Sequence, residues 1–299
     1  LTDAHRYAST FFGWVLAAAT NSHLIRYLDL GSLLTLGAVL QLLAQLLRFW
    51  TPPFGLYAAS FFIQAAGLAY QDTHANTFVA SIKGAHRWLG FIHAMYALGC
   101  LVSPFVATAI AASATGRWPL FYTFLVGLGS INALAVIVTF HDSLKVKAIP
   151  EPSASSEHAT VSRSKTASRD ILETLKLPAV YTLSLFYFFF LGASITAGGW
   201  VVEYLVSARN GRLPDAGYVS AGLWGGTFLG RVLLAEPTHR FGERRMAFLY
   251  CCLGLAAQLV FWLVPNLISS AVAICLFGFF FGPLFATVSQ FLPPNIPLA

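Results

Sequence analysis

The chain has 299 residues, of which 57% are hydrophobic and 10% charged, and a formal net charge of +6. A soluble domain carries about 25% charged residues, so a water-soluble globular fold is excluded: apolar surface on this scale needs lipid as its solvent. The basic residues sit in short gaps between apolar runs, which is the pattern of membrane topology and excludes a nucleic-acid partner.

A helix needs about 20 apolar residues to cross a bilayer. Nine such runs follow one another along the chain, at roughly 8–25, 30–50, 53–82, 88–112, 118–140, 177–207, 216–235, 246–264 and 267–291. The clearest are "SLLTLGAVLQLLAQLLRFW" and "YTLSLFYFFFLGASITAGGW"; the first run is the weakest, broken by Asn21, Ser22 and His23. Continuous apolar blocks predict helices, because membrane strands alternate in polarity. The expected fold class is all-α and polytopic, with about nine transmembrane helices. Cys100, Cys251, Cys252 and Cys275 all lie inside apolar runs, without metal-ligand spacing, and read as small packing residues.

Between the fifth and sixth runs lies "HDSLKVKAIPEPSASSEHATVSRSKTASRDILETLK", rich in Ser, Pro and charge, which predicts a flexible linker. The expected organisation is an N-terminal bundle of five helices at 1–144, a linker at 145–176 and a C-terminal bundle of four helices at 177–299. Alternate gaps on one side collect thirteen Lys and Arg, among them Arg26, Lys83, Arg87, Lys145, Arg240 and Arg245. The other side holds five: Arg6, Arg48, Arg117, Arg209 and Arg212. Positive-inside bias then places the linker in the cytoplasm and the N-terminus outside. An outside start with no signal peptide, Leu1 in first place and "FLPPNIPLA" soon after the last run give the expectation of an incomplete copy, lacking a preceding helix.

The two blocks echo each other. Arg26-Tyr27-Leu28-Asp29 lies over Arg240-Phe241-Gly242-Glu243 at an offset of 214, and Phe62, Gly67 and Tyr70 lie over Phe277, Gly282 and Phe285 at 215. Tandem repeats of one helical bundle are a common plan for transporters.

The segment "GRVLLAEPTHRFGERR" resembles the loop between helices 8 and 9 of the major facilitator superfamily, through Gly230, Arg231, Arg240, Gly242, Glu243, Arg244 and Arg245. "GFIHAMYALGCLVSP", "GASITAGGW" and "GFFFGPLFA" resemble the fifth, seventh and tenth helices of its fucose-permease-like branch and that branch's fungal relatives. The resemblance implies a two-bundle fold, helices 2 to 10 of twelve, and secondary transport of a small solute such as a sugar or another polar metabolite, coupled to protons. The host membrane implied is a fungal plasma or vacuolar membrane. Two positions depart from the family: Ser22 stands where its first cytoplasmic loop carries Asp, and Ser194, six before Trp200, where the branch has an acid.

Asp72 is the one carboxylate well inside an apolar run, with Asn76 one turn further on the same face. A charge at bilayer depth costs about 2.5–3.5 kcal/mol on insertion scales, so Asp72 is either a substrate or proton site or a lock onto a neighbouring helix. The resembling branch carries an Asp and an Asn at this spacing. His93 and Tyr96 share one side of a helix, and His93 is a proton shuttle or a simple interhelical donor. Gln64 and Gln71 suit a hydroxylated solute or interhelical bonding. Trp200 is a cavity wall or an interfacial anchor. Arg231, Arg240, Glu243, Arg244 and Arg245 form, by the resemblance, a cytoplasmic gate motif; plain topology explains them as well. Gly226 and Gly230 are spaced for close helix packing. Nothing has metal-ligand spacing, a phosphate loop or a nucleophile elbow, so neither an enzyme nor a cofactor is expected. Two rivals remain: a non-transporting or regulatory fragment, and an intramembrane enzyme built on converging groups such as Asp72 and His93.

Overall fold

The computed structural model describes residues 2–113, 119–145 and 176–289. Each expected apolar run falls on a long helix: α1 (Thr2–Leu24), α2 (Leu30–Arg48), α3 (Phe54–Ala80), α4 (Ala85–Ser113), α5 (Leu120–Thr139), α6 (Pro178–Glu203) and α7 (Leu213–Leu233). A short α8 (Ala235–Phe241) follows, then α9 (Glu243–Leu263), α10 (Leu267–Phe281) and α11 (Leu284–Ser289). The linker at 146–175 and the end segment at 290–299 lie outside the described residues.

Local chemistry sets the ends. Asn266 caps α10, its side chain accepting from the Ile268 and Ser269 amides at 2.9 and 3.1 Å. Gly242, at φ 95°, separates α8 from α9, a backbone conformation that a side chain resists. The last expected run, read as one span, is divided at Gly282-Pro283. Pro283 has no amide hydrogen to continue the ladder.

The helices expose large apolar side chains that water would not tolerate. On α5, Ala133 is buried while Ile131, Leu134 and Val138 face outward; on α6, Phe188 is 71% exposed. Among the described residues, six spans are long and apolar enough to cross a membrane: Leu30–Arg48, Ala85–Ala107, Leu120–Thr139, Pro178–Ala208, Glu243–Leu263 and Leu267–Val288. The other three long helices, α1, α3 and α7, carry more polar side chains, among them Asn21, Gln64, Gln71, Asp72, Asp215 and Arg231. The chain is an integral, multi-pass, all-α membrane protein.

It forms two compact units. One holds the described residues of 1–78 and 107–176; the other holds those of 79–106 and 177–297. Most of α4 therefore belongs with the C-terminal helices, although it lies within the block 1–144 in chain order. In the first unit, α2 and α3 meet at Gly37 and Gly67, where an added Cβ would fall 2.7 Å from the facing carbonyl in either direction. Ala17, Ala66, Ala69 and Tyr70 form its core against α1. In the second unit, α7 lies against α10. A Cβ on Gly226 or Gly230 would overlap the backbone carbonyl of Cys275 or Phe279, so the close approach expected of this glycine pair occurs. Val201, Leu205, Val219, Leu223, Ile274 and Phe277 fill the core around it.

Candidate functional site

Polar side chains of the first unit meet in rungs between α2, α3 and α5. Gln41 donates to the Gln71 side-chain carbonyl at 2.6 Å. Gln71 and Asn132 of α5 exchange a pair of amide bonds at 3.3 and 3.2 Å. Further along the same two helices, Arg48 donates to Ser60 Oγ at 2.6 Å and to Gln64 Oε1. Tyr57 and Tyr122 join their hydroxyls at 3.0 Å. Helical spacing brings this about: Gln41 and Arg48 on α2 lie one face apart by seven, and Ser60, Gln64 and Gln71 recur on one stripe of α3.

Asp72 and Asn76 are half-buried on α3, and Asn76 Nδ2 donates to Asp72 Oδ1 at 3.0 Å. That bond is what the one-turn spacing predicted. Asn76 Oδ1 and the Nε2 of His74 are buried without a hydrogen-bond partner, and His74 is only 5% exposed. His74, two residues from each, lies around the helix from them, but Asp72 and Asn76 share one face of α3, a carboxylate and an amide with the Asn76 Oδ1 still unspent. That is the chemistry needed to hold a proton or a hydroxyl group.

In the second unit, the His93 ring is 9% exposed and packs edge-on against Phe285 at 4.9 Å. Arg231 of α7 donates to the His93 backbone carbonyl at 2.5 Å and to the Gly282 carbonyl at 3.0 Å. Its guanidinium also lies 5.7 Å from the Tyr96 ring centre. Arg231 therefore fastens α4 and the α10–α11 break to α7. Trp200, near the end of α6, is 60% exposed.

Beyond Arg231 the loop charges centre on Glu236, which the sequence reading passed over. Its carboxylate takes Arg87 Nε at 2.9 Å, Arg240 Nε at 2.9 Å and His86 Nε2 at 3.3 Å. Those bonds, Arg87 first, then Arg240 and His86, hold the carboxyl down at about 2. The His86 ring stacks on His239 at 4.0 Å with the planes 8° apart. His86, Arg231, Thr238, His239 and Glu243 line a small cleft there. Glu243 lies 3.9 Å from His239, while Arg244 and Arg245 are exposed.

Of the residues singled out from sequence, the structure pairs Asp72 with Asn76, brings Gln64 to Arg48 and Gln71 to Gln41 and Asn132, and sets His93 and Tyr96 around Arg231. Those around Asp72 and those around Arg231 belong to different compact units. The residues missed were Arg48, Gln41, Asn132 and Glu236. The Glu236–Arg240 pair has the favourable i,i+4 order and was legible.

The curated protein named "Bypass of stop codon protein 6", from Saccharomyces cerevisiae (strain ATCC 204508 / S288c), is 27% identical over 313 aligned residues. The alignment takes in 95% of this chain and 62% of that protein, so the chain spans less than two thirds of the relative's length. The family model of the Major Facilitator Superfamily matches residues 7–297. The match covers nearly the whole chain, and the chain belongs to the Major Facilitator Superfamily.

Proposed function

We propose that this chain carries out secondary transport of a small solute by alternating access, as a member of the fucose-permease-like branch and its fungal relatives. The solute class is a polar metabolite, sugars included, and the driving ion is the proton. The observation that carries the reading is the Asp72–Asn76 pair on α3, with the unspent Oδ1 of Asn76 beside it. A carboxylate at membrane depth costs about 2.5–3.5 kcal/mol on insertion scales, and taking up a proton removes that charge. Protonation then shifts the balance between two conformations, which is what couples a proton to a solute. Gln64, Gln71, His93, Tyr96 and Trp200 supply further candidate contacts. Arg231, Arg240, Glu243, Arg244 and Arg245, now with Glu236, form the gate at the cytoplasmic side.

The test is transport by the purified protein in sealed vesicles. Asp72→Asn should keep the fold and abolish accumulation driven by a pH gradient, while solute exchange down its own gradient persists. Accumulation equal to the parent's would end the proton role. Loss of folding would assign Asp72 to helix packing instead.

A further inference from the structure

Arg48 is the last residue of α2, yet it is 3% exposed. Helical side chains lean toward the helix N-terminus, and this one runs back between α2, α3 and α5. Its Nε is spent on Ser60 and its Nη1 on Gln64. The guanidinium lies over the Phe61 ring at 3.8 Å and 5.9 Å from that of Tyr122. Nη2 is fully buried and has no partner. Among the described residues every group that touches the cation is neutral, and an undonated nitrogen remains. Isolated buried cations are expensive, and chains retain them where an opposite charge arrives from elsewhere.

We infer that Arg48 is the anchor for the carboxylate of an acidic solute. Nη2 and the second hydrogen of Nη1 leave one edge of the planar guanidinium to meet a carboxylate, and the charges match. With Oε1 committed to Arg48, Gln64 offers the incoming group only its NH2, a second donor. A dianion such as phosphate would bring twice the charge of the single cation, and a halide would make no use of the planar fork. The inference rests on the transport reading for the route by which a solute reaches the site; the binding step does not depend on it.

Binding is measured by calorimetry on the purified full chain in lipid nanodiscs. The probes are sodium acetate, lactate and benzoate, against sodium phosphate, sodium chloride and glucose at matched ionic strength. At least one carboxylate should bind saturably, and the inorganic anions should not. Arg48→Gln should weaken that binding by about 30-fold or more, and Arg48→Lys, which keeps the charge and loses the fork, by about tenfold. The inference falls if no carboxylate binds the parent, if phosphate or chloride binds as well as the carboxylates, or if Arg48→Gln retains the parent's affinity. Should Arg48→Gln fail to fold, Arg48→Lys decides: affinity equal to the parent's overturns the inference. Solute exchange in vesicles, run in parallel, separates the two readings. Exchange of neutral solutes that Arg48→Gln leaves intact, with no carboxylate bound, keeps transport and removes the anchor. Carboxylate binding without exchange of any solute keeps the anchor and removes transport.

Discussion

Arg209 enters a topology count as one of five charges on the poorer side, but its work is local. It donates to the carbonyls of Phe261, Trp262 and Val264 at 2.6–2.8 Å and to Ser270 Oγ at 3.0 Å. The carbonyls of Phe261 and Trp262 belong to the last turn of α9, where no helical amide reaches them. A cation there also opposes the negative end of the helix dipole. Hydrogen bonds to charged groups are worth about 1.5–3 kcal/mol each and are not additive, so Arg209→Gln should cost about 2–4 kcal/mol. The unfolding midpoint in detergent should drop accordingly, and no change would mean that water satisfies these carbonyls. Glu236 gives a prediction in pH. Its folded pKa, about 2, lies below the ordinary 4.5. The tie to Arg87, Arg240 and His86 therefore stabilises fully above 4.5 and is lost as pH falls toward 2. Glu236→Gln should remove that acid-side dependence, and equal pH profiles in both proteins would contradict it. Beyond the Glu236–Arg240 pair, neither role was legible from the sequence, which supplies a charge and its neighbours along the helix but not the carbonyls or stacked rings that meet it from other elements.

Helices themselves were legible because lipid leaves the backbone few alternatives: every amide in an apolar span must be satisfied within that span. Most element boundaries followed the apolar runs within a few residues, although α1 begins at Thr2, ahead of the run at 8–25. The misses have physical causes. α8 is seven residues long, too short to show a period, and Gly282-Pro283 interrupts a run that stays apolar on both sides. Close packing was legible at Gly226 and Gly230 by their spacing, but only the structure separates Gly226 from its neighbour. A Cβ at Gly225 meets nothing within 4 Å, whereas at Gly226 it overlaps backbone atoms of α10, which no side-chain rotation relieves. Gly225→Ala should therefore be neutral or slightly stabilising, since Ala exceeds Gly in helix preference by about 1 kcal/mol. Gly226→Ala should lower the unfolding midpoint by the equivalent of about 1–3 kcal/mol, the usual cost of overpacking. Equal effects at the two positions would mean that α7 and α10 pull apart freely. The same device appears in the other unit, where a Cβ on Gly13 of α1 would collide with the backbone of α3 at Phe62. That recurrence is the packing counterpart of the sequence echo between the two blocks.

At the scale of the whole molecule, the sequence offered two kinds of information. Family-like motifs and apolar runs gave the architecture, because membrane spans are written in composition. The grouping of α4 with the C-terminal helices was not written there. It depends on Gly90, where an added Cβ would come within 3.1 Å of Ala235 and of the Arg231 carbonyl, a contact between residues far apart in the chain. Orientation is the remaining global property, and charge decides it. By the positive-inside rule, thirteen Lys and Arg against five give the expectation that the richer side is cytoplasmic. Ser81, before α4, lies on that side, and Ala208, after α6, on the other; both are exposed. Three long helices, α4, α5 and α6, separate them, and an odd number of crossings puts them on opposite faces of the membrane. By the same count the linker at 145–176, two crossings beyond Ser81, is expected on the cytoplasmic face. In a background with the four native cysteines replaced, Ala208→Cys should react with an impermeant thiol reagent on intact cells. Ser81→Cys should react only after permeabilisation. The reverse pattern would invert the orientation, and labelling of both on intact cells would mean that one of α4 to α6 does not cross.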